Sequence, residues 1–567
     1  MSRIVRINMS TKEITEAPGE KYRLYGGRSL IAKMMLDEVD PACEPLGIYN
    51  KLILAPGLLG GTAASSASRL SVGAKSPLTN GIKEANSGGL AANNLGKLGI
   101  KALVFEGLPK DDNTYVLFVK KDGVSLQVMN ELKRLGTYDT IRRLNQALGK
   151  GTAVVCIGPA GESLMRSAFV ACSDPNGEAR FAARGGLGAV MGSKGIKAIV
   201  IENITGSQVV YKDKDAFNAA IKEYHESMLG DPKIKNVNQR MGTNAIFKAV
   251  NAMGALPTRN FREGCFEFVE NLCGETMYET IQRRGGEGKT ALACMNGCII
   301  RCGNIYPDEN GRKICSTLQY ENVALLGSNL GMESLDSVAR LNHACNDAGV
   351  DAIEMGATLG LAVEAGLARF NDEKALMQLI EEVRKATVVG RVLGNGAKVT
   401  GEVFGINRIP AAKGQAFPGY DPRGLKGNGV TYAMSPMGAD HTAGNCFGAR
   451  GEVPPLGTDR QGDLSRNTQI KITTLDGLGF CIFSRNYLFK DPVILATMVN
   501  SLVGAELSVE DIWNLGAETI KNEREFNIKA GLSPAQDRLP EFVTREQLPP
   551  HNSVFDLSEE EMLKGVV

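Results

Sequence analysis

Tryptophan occurs once in 567 residues and histidine four times, and the charges nearly cancel, with 64 Lys and Arg against 63 Asp and Glu. The missing basic excess argues against a nucleic-acid binder. Long apolar runs are also absent. The longest uncharged stretch, Leu52–Ser68, is broken by Pro56, by glycines and by Ser65, Ser66 and Ser68, so it reads as strand and loop rather than a membrane span. No apolar segment of the secretory kind follows Met1–Asn8, and a cytoplasmic protein is expected. No repeat of 20–50 residues is found, which excludes solenoid and propeller architectures. No G-x-x-x-x-G-K-S/T occurs in the glycine-rich stretches, and Gly186-x-Gly188 fails the dinucleotide fingerprint because Met191 stands where the third glycine belongs. A plain ATP or nicotinamide site is therefore not supported.

Glycine, by contrast, is abundant: 66 residues, about 12% of the chain against ~7% on average. Such a composition without a repeat points to close backbone approaches to a ligand. Hydrophobic content of 43% and charged content of 22% are ordinary for a folded chain, and the length predicts several domains. Short β-branched or apolar runs at Lys51–Ala55, Ala102–Glu106, Thr114–Lys120, Val124–Val128, Ala153–Ile157 and Lys197–Glu202 predict strands, with a hairpin turn at Lys121–Gly123. Helical spacing takes over at Asp215–Leu229, Leu335–Cys345, Ala352–Ala368, Glu373–Thr387, Pro492–Leu502 and Val509–Ala530. The expected fold is α+β: an α/β base domain over 1–207, a mostly helical domain over 208–410, and a second over 411–567.

Among the twelve cysteines, Cys294, Cys298 and Cys302 lie within nine residues. Three such thiolates suit three corners of an iron–sulfur cubane, with a remote fourth cysteine completing it. Competing readings are three thiols along one helix face, a zinc site, or a radical cluster enzyme, for which two three-residue spacers fit poorly. Cys481 is the best fourth ligand because it sits in a glycine-rich turn; Cys315, Cys345 and Cys446 stay open on spacing alone. The stretches Ser68–Gly89 and Arg180–Lys194 combine glycines with Arg69, Lys75, Arg184 and Lys194, a pattern that cradles phosphates. A short echo, Asn346–Asp351 and Asp476–Cys481, would make sense if two related domains offered similar turns to two halves of one ligand. His441 lies among small residues that leave room for a ligand, and Glu321 lies in apolar helix, where desolvation would suit a general base.

Taken together, GGRSL at 26–30, ASRLSVGAKSPLT at 67–79, NSGG at 86–89, IGPAGE at 157–162, ARGGLGAVMGSK at 183–194 and LPTRNF at 256–261, then the cysteine triplet, YENVALLGSNLG at 320–331, NDAGVD at 346–351, YDPRG at 420–424, GADHT at 438–442 and DGLGFC at 476–481, resemble the aldehyde:ferredoxin oxidoreductase family. The likeness spans nearly the whole chain. It implies a tungsten or molybdenum centre held by two pterins, one 4Fe–4S cluster and a magnesium ion bridging the pterin phosphates. Arg69, Asn86, Gly88 and the adjoining Gly89, with Ala183, Arg184 and Gly185, match the pterin and phosphate loops, Asn86 and Ala183 near the magnesium. Asn346, Gly349 and Asp351, with Asp476, Gly479 and Cys481, match the two pterin turns. Cys294, Cys298, Cys302 and Cys481 match the cluster ligands. The implied reaction is oxidation of an aldehyde to the carboxylic acid, with Glu321 as base, His441 on the carbonyl oxygen and Tyr320 supporting Glu321. Electrons would leave to a ferredoxin or ferredoxin-like subunit, and a homo-oligomer is compatible. Other readings are a benzoyl-CoA-reductase-like subunit and a non-catalytic iron–sulfur subunit. The chain departs from the family pattern in the three-residue spacer Met295–Gly297, in Asn346 where aspartate is common, and in the residues before Tyr320.

Overall fold

The computed structural model describes residues 2–149 and 151–567. Its first 201 residues form two six-stranded sheets of one topology. The first is ordered β2 (Ile14–Pro18), β1 (Arg3–Asn8), β6 (Ile100–Glu106), β3 (Leu52–Pro56), β4 (Leu70–Lys75), β5 (Ile82–Ser87). The second runs β8 (Gly123–Val128), β7 (Tyr115–Lys120), β12 (Ile196–Ile201), β9 (Ala153–Cys156), β10 (Val170–Ser173), β11 (Ala179–Ala182). In each, the opening hairpin pairs in parallel with the last strand, and every other neighbour is antiparallel. Helices recur at matching places: α1 (Gly27–Glu38) and α2 (Ala91–Lys97) in the first half, α3 (Thr137–Leu148) and α4 (Leu187–Ser193) in the second. The base is a duplication of about 100 residues, longer than the periods over which no repeat was found. It is faintly legible in Gly88–Gly89–Leu90 against Gly185–Gly186–Leu187, and in Ile100–Lys101–Ala102 against Ile196–Lys197–Ala198.

Period-two alternation explains the layering. Leu52 and Leu54 of β3, with Val155 of β9, Leu117 of β7 and Ile199 of β12, share one core between the sheets. The alternate residues face outward. Ile53 and Val104 pack under Leu30, Ile31 and Met34 of α1, while Val154 and Val200 pack under Ile141 and Leu144 of α3. Edge strand β5, which contains Asn86, and edge strand β11, which ends just before Ala183, pack against each other and join the two halves.

Every strand expected from the sequence is present within two residues, but six others in the base were not anticipated. Much of the glycine-rich stretch Ser68–Gly89 is not loop: β4 and β5 pair in register there from Leu70↔Ser87 to Lys75↔Ile82. The later helices also form, among them α5 (Lys214–Leu229), α6 (Tyr320–Leu326), α7 (Leu335–Ala348), α8 (Ala352–Glu364), α9 (Gln461–Leu478), α10 (Pro492–Val503) and α11 (Val509–Lys529). Two details differ from expectation. Although α5 opens the 208–410 segment, it packs against α10, because Phe217, Ile221 and Met228 share a core with Leu495 and Val499. That segment also contains a three-stranded sheet, β13 (Lys289–Leu292), β14 (Gly303–Pro307) and β15 (Lys313–Ser316). The cysteine triplet occupies the irregular connection between β13 and β14, so the reading of three thiols on one helix face does not hold.

Candidate functional site

The two echoed turns are helix ends. Each closes with a left-handed glycine, Gly349 (φ 87°) after α7 and Gly479 (φ 91°) after α9. Each docks on the equivalent place in one half of the base. Arg69 N–H donates to Gly479 O and Phe169 N–H to Gly349 O; Cys481 N–H donates to Ser66 O and Asp351 N–H to Ser167 O. A Cβ on Gly57 would collide with the backbone of Gly479, and one on Gly158 would lie 2.8 Å from Gly349 Cα. Positive φ and the absence of a side chain are thus both required where helix end meets sheet end.

Over the first half, Arg69 donates to the Asn86 side chain and, at 2.9 Å, to Asn86 O, and Asn86 Nδ2 donates to Asp476 Oδ1 at 3.2 Å. Arg28, fully buried on α1, forks onto Glu523 at 2.8 and 2.9 Å and also reaches Asp476 at 3.3 Å. Burial pushes the carboxyls of Asp476 and Glu84 up together, and Glu84 Oε1 is buried without a partner. Gly89 N–H donates to Cys294 O at 2.7 Å, and a Cβ on Gly88 would lie 2.9 Å from Cys294 Sγ, so the NSGG loop lies directly on the cysteine triplet.

Cys294, Cys298, Cys302 and Cys481 all border one apolar core. Cys298 Sγ is approached by Ser66 Oγ and by Arg301 N, each at 3.5 Å. The hydrogen bond between the Cys294 and Cys298 thiols raises the pKa of the first and lowers that of the second. Cys315 and Cys345 belong to a different core, and Cys446 packs at Gly427, which leaves Cys481 as the fourth member. Among the described residues no three His, Cys, Asp or Glu side chains are gathered tightly enough for a single ion. Four converging thiols with amide and hydroxyl donors to sulfur suit a polynuclear iron–sulfur centre, which holds its ligands farther apart.

Over the second half the turn ends in Asp351 instead of cysteine. Asp351 caps α8 and accepts from Arg184 Nε at 3.2 Å. Arg184 donates to Ala439 O (2.6 Å) and Ala416 O (2.7 Å), with Glu354 3.6 Å away. Burial raises Glu354 to about 7 even though Arg184 opposes it. Beside Gly185, at the place corresponding to Cys294 beside Gly88, lies Lys83, fully buried and paired with Asp440. Burial would raise Asp440, but Lys83 and Arg184 outweigh it and hold the carboxylate ionised. Two cations, Arg184 and Lys83, stand at the Ala183–Gly185 loop already paired with Asp351, Glu354 and Asp440, so an anionic group bound there would exchange for those partners.

Glu321 and His441 meet beside this network. Glu321 Oε2 accepts from Gly419 N–H at 2.7 Å; its Oε1 lies 3.4 Å from His441 Nε2 and makes no hydrogen bond. His441 Nδ1 is likewise unpartnered. Burial raises Glu321 above the carboxylate range, with nearby His441 and the Gly419 amide opposing. The Tyr320 hydroxyl donates to Gly419 O, on the other side of the same residue whose N–H orients Glu321. Tyr420 lies between, its ring 5.1 Å from that of Tyr320 and 6.2 Å from that of His441.

Thus Arg69, Asn86, Gly88, Gly89, Asp476, Gly479 and Cys481 gather on one half, Ala183, Arg184, Gly185, Gly349 and Asp351 on the other, and Glu321, Tyr320 and His441 beside the latter. Asn346 occupies the position matching Asp476, adjacent to Tyr138, and has no charged hydrogen-bond partner among the described residues. Lys75 does not join them. Its ammonium donates to Pro41 O (2.6 Å) and Cys43 O (2.8 Å), tying a loop to β4, and Lys194 does the same at Gly47 and Asn50. Sequence reading passed over Asp440, although it adjoins His441, and Lys83, Arg28 and Glu354, whose partners are hundreds of residues away or on another element. No helix among the described residues is long and apolar enough to cross a membrane.

The chain resembles known proteins over nearly its whole length. Residues 4–203 match the family model of the aldehyde ferredoxin oxidoreductase N-terminal domain, and 219–565 that of its domains 2 and 3. Tungsten-containing aldehyde ferredoxin oxidoreductases from Thermococcus kodakarensis and Pyrococcus furiosus are 32% and 31% identical, each over 96% of this chain and 92% of the relative. The WOR-like subunit of an aliphatic sulfonate oxidoreductase from Pyrococcus furiosus is 26% identical over 78% of this chain and 75% of its own. The fold is shared with a chain of the active-site complex BamBC of benzoyl coenzyme A reductase, solved with 1,5-dienoyl-CoA (TM-score 0.81, 19% identity, 100% of this chain and 94% of that one).

Proposed function

The chain belongs to the aldehyde ferredoxin oxidoreductase family, and from that premise we propose that it oxidises an aldehyde and water to a carboxylic acid, releasing two electrons singly through a 4Fe–4S cluster to a ferredoxin or ferredoxin-like subunit. The observation that carries this reading is the facing pair Glu321 and His441, 3.4 Å apart, each with a buried atom that has no hydrogen-bond partner among the described residues, beside the two helix ends docked on the base.

The reaction balances as RCHO + H2O → RCOOH + 2H⁺ + 2e⁻. When bound, the tungsten bis-pterin supplies the two-electron acceptor for the hydride equivalent at the aldehyde carbon. Asn86, Arg69 and Asp476 would hold one pterin, and Ala183, Arg184, Gly185, Asn346 and Asp351 the other, and a magnesium ion would be held near Asn86 and Ala183. Cys294, Cys298, Cys302 and Cys481 would hold the cluster. His441 Nε2 donates to the aldehyde oxygen and draws charge from the carbonyl carbon. Glu321 Oε1 takes the proton of the attacking water, a task for which burial has made it a stronger base than a solvated carboxylate. Gly419 N–H keeps Oε2 fixed, so that Oε1 alone faces the substrate, and Tyr320 holds Gly419 in place.

Elemental and pterin analysis of anaerobically purified protein, with aldehyde-dependent viologen reduction, tests the reading. About one tungsten, two pterins and four irons per chain with turnover are expected. Iron without pterin or tungsten after cofactor-competent expression would instead support a non-catalytic iron–sulfur subunit.

A further inference from the structure

The duplication of the base sets two buried cations at equivalent places. Lys83 of β5 and Arg180 of β11 each stand five residues before a pair of glycines, Gly88–Gly89 and Gly185–Gly186. Each reaches out of its own half. Lys83 lies against Gly185 of the second half and pairs with Asp440, the residue before His441. Arg180 reaches the other way, to the cysteine-bearing connection that is seated on Gly88 of the first half.

Arg180 is closely held there. Its Nε donates to Asp174 Oδ2 at 2.9 Å and its Nη1 to the Thr317 side chain. Asp174, itself buried, is fixed by the N–H groups of Asn176 at 2.7 Å and Glu178 at 3.0 Å. Nη2 of Arg180 is also buried. Although Asp174 Oδ2 lies 2.8 Å from it, Nη2 makes no aligned hydrogen bond among the described residues. A Cβ on Gly303 would lie 2.8 Å from Nη2 and 2.8 Å from Leu292 O. Leu292 ends β13 and Gly303, next to Cys302, begins β14, so Nη2 stands where the two ends of the cysteine-bearing connection come together. The turn between β10 and β11 grips the same connection through Asn176 Nδ2, which donates to Ala293 O at 2.9 Å. Burial opposes the charge of Arg180, but Asp174, Cys294 and Cys302 outweigh it. Arg301, within the connection, is by contrast exposed and donates from Nε to Ala291 O.

We propose that Arg180 is the buried counter-cation of the iron–sulfur cluster and holds its reduction potential up, with Nη2 as the unpaired group on that side. A cluster bound by four thiolates gains one negative charge when it accepts an electron, and net charge and donors to sulfur set its potential. A fixed cation in a dry interior favours that added charge more than an exposed, salt-screened one does. Asp174 acts in the opposite sense, so the two members of one ion pair set the level at which the cluster takes electrons. Arg180 is thus a tuning residue rather than a catalytic one. The inference deepens the proposed function and rests on it for the cluster ligands, not for the aldehyde.

A redox titration of the holoenzyme, followed by the EPR signal of the reduced cluster with iron and pterin counted in each sample, tests this. In Arg180→Gln the midpoint should fall by at least about 59 mV, a tenfold change in the reduced-to-oxidised ratio at fixed potential for a one-electron couple. Arg180→Lys should stay near wild type, Asp174→Asn should shift upward, and Arg301→Gln should move less than Arg180→Gln. Opposite shifts from the two partners of one ion pair are what a packing role would not produce. Unchanged midpoints in Arg180→Gln and Asp174→Asn with full iron overturn the proposal. Should Arg180→Gln fail to hold iron, Asp174→Asn decides, and a midpoint there that falls or stays put overturns it equally. Pterin lost from Arg180→Gln at an unchanged cluster midpoint would assign Arg180 to the pterin and also overturn it. A wild-type protein without a cluster signal would sink this inference together with the cluster assignment. A cluster showing these shifts in a protein that oxidises no aldehyde would support the inference and remove the aldehyde reading alone.

Discussion

The two halves of the base share strand order, helix placement and the way each receives a helix end, yet they present opposite chemistry. At the first, Cys481 closes the docked turn and Cys294 lies on Gly88, so the neighbourhood is sulfur. At the second, Asp351 closes the turn and Lys83 lies against Gly185, so the neighbourhood is a buried ion network of Arg184, Glu354, Lys83 and Asp440. Glu321 and His441 stand on the ionic side. On the proposed reading one half conducts electrons outward while the other manages anions and protons. A duplicated scaffold can divide labour this way because its backbone contacts are satisfied identically, leaving the side chains at equivalent positions free to differ.

Exchanging chemistry between the halves gives the largest expected effect. Cys481→Ala should lose the cluster, seen as iron falling from about four per chain toward zero with its visible absorbance. Asp351→Ala should keep iron but strip the buried Arg184 of a partner, at a cost of about 3–5 kcal/mol in denaturant unfolding. Iron lost equally from both variants would mean the halves are not differentiated as described. Next, Glu321→Gln should lower kcat by about 10²–10⁴ while iron and pterin stay at wild-type levels. Because burial raises the Glu321 pKa and the base is the deprotonated form, kcat/KM should fall as pH drops through a value above the ordinary carboxylate range, and the residual activity of the Gln variant should lack that limb. A limb at the ordinary carboxylate value would remove Glu321 from the role. The smallest effects probe what the halves have in common. Gly349→Ala and Gly479→Ala each put a Cβ at positive φ against a facing glycine, 2.7 Å from Gly158 Cα and 2.9 Å from Gly57 Cα, and each should destabilise by about 1–3 kcal/mol. Similar losses support equivalent docking; a loss at one glycine alone would break the symmetry.

Much of this was legible before any fold was known. The cysteine triplet, the echoed turns, Glu321 and His441 carry local signatures: unusual spacing, a left-handed glycine after a helix, a titratable group among apolar or small residues. Lys75 misled, because a lysine among glycines reads as a phosphate ligand while its ammonium caps loop carbonyls 32 and 34 residues earlier. Strands β4 and β5 were hidden by the glycines and polar residues of a segment buried on both faces. The duplication escaped because the halves preserve pairing pattern and burial far better than residue identity.

The sequence by itself determined which chemical groups are available and the local conformation around them, since periodicity, caps and turn glycines act over a few residues. Only the tertiary structure decided which of them meet. Glu321 lies 120 residues from His441, Lys83 lies 357 from Asp440, and Arg28 lies 495 from Glu523. No local preference encodes such pairs. They form because two sheets and the helices docked on them bury enough apolar surface to hold charges where water would otherwise keep them apart.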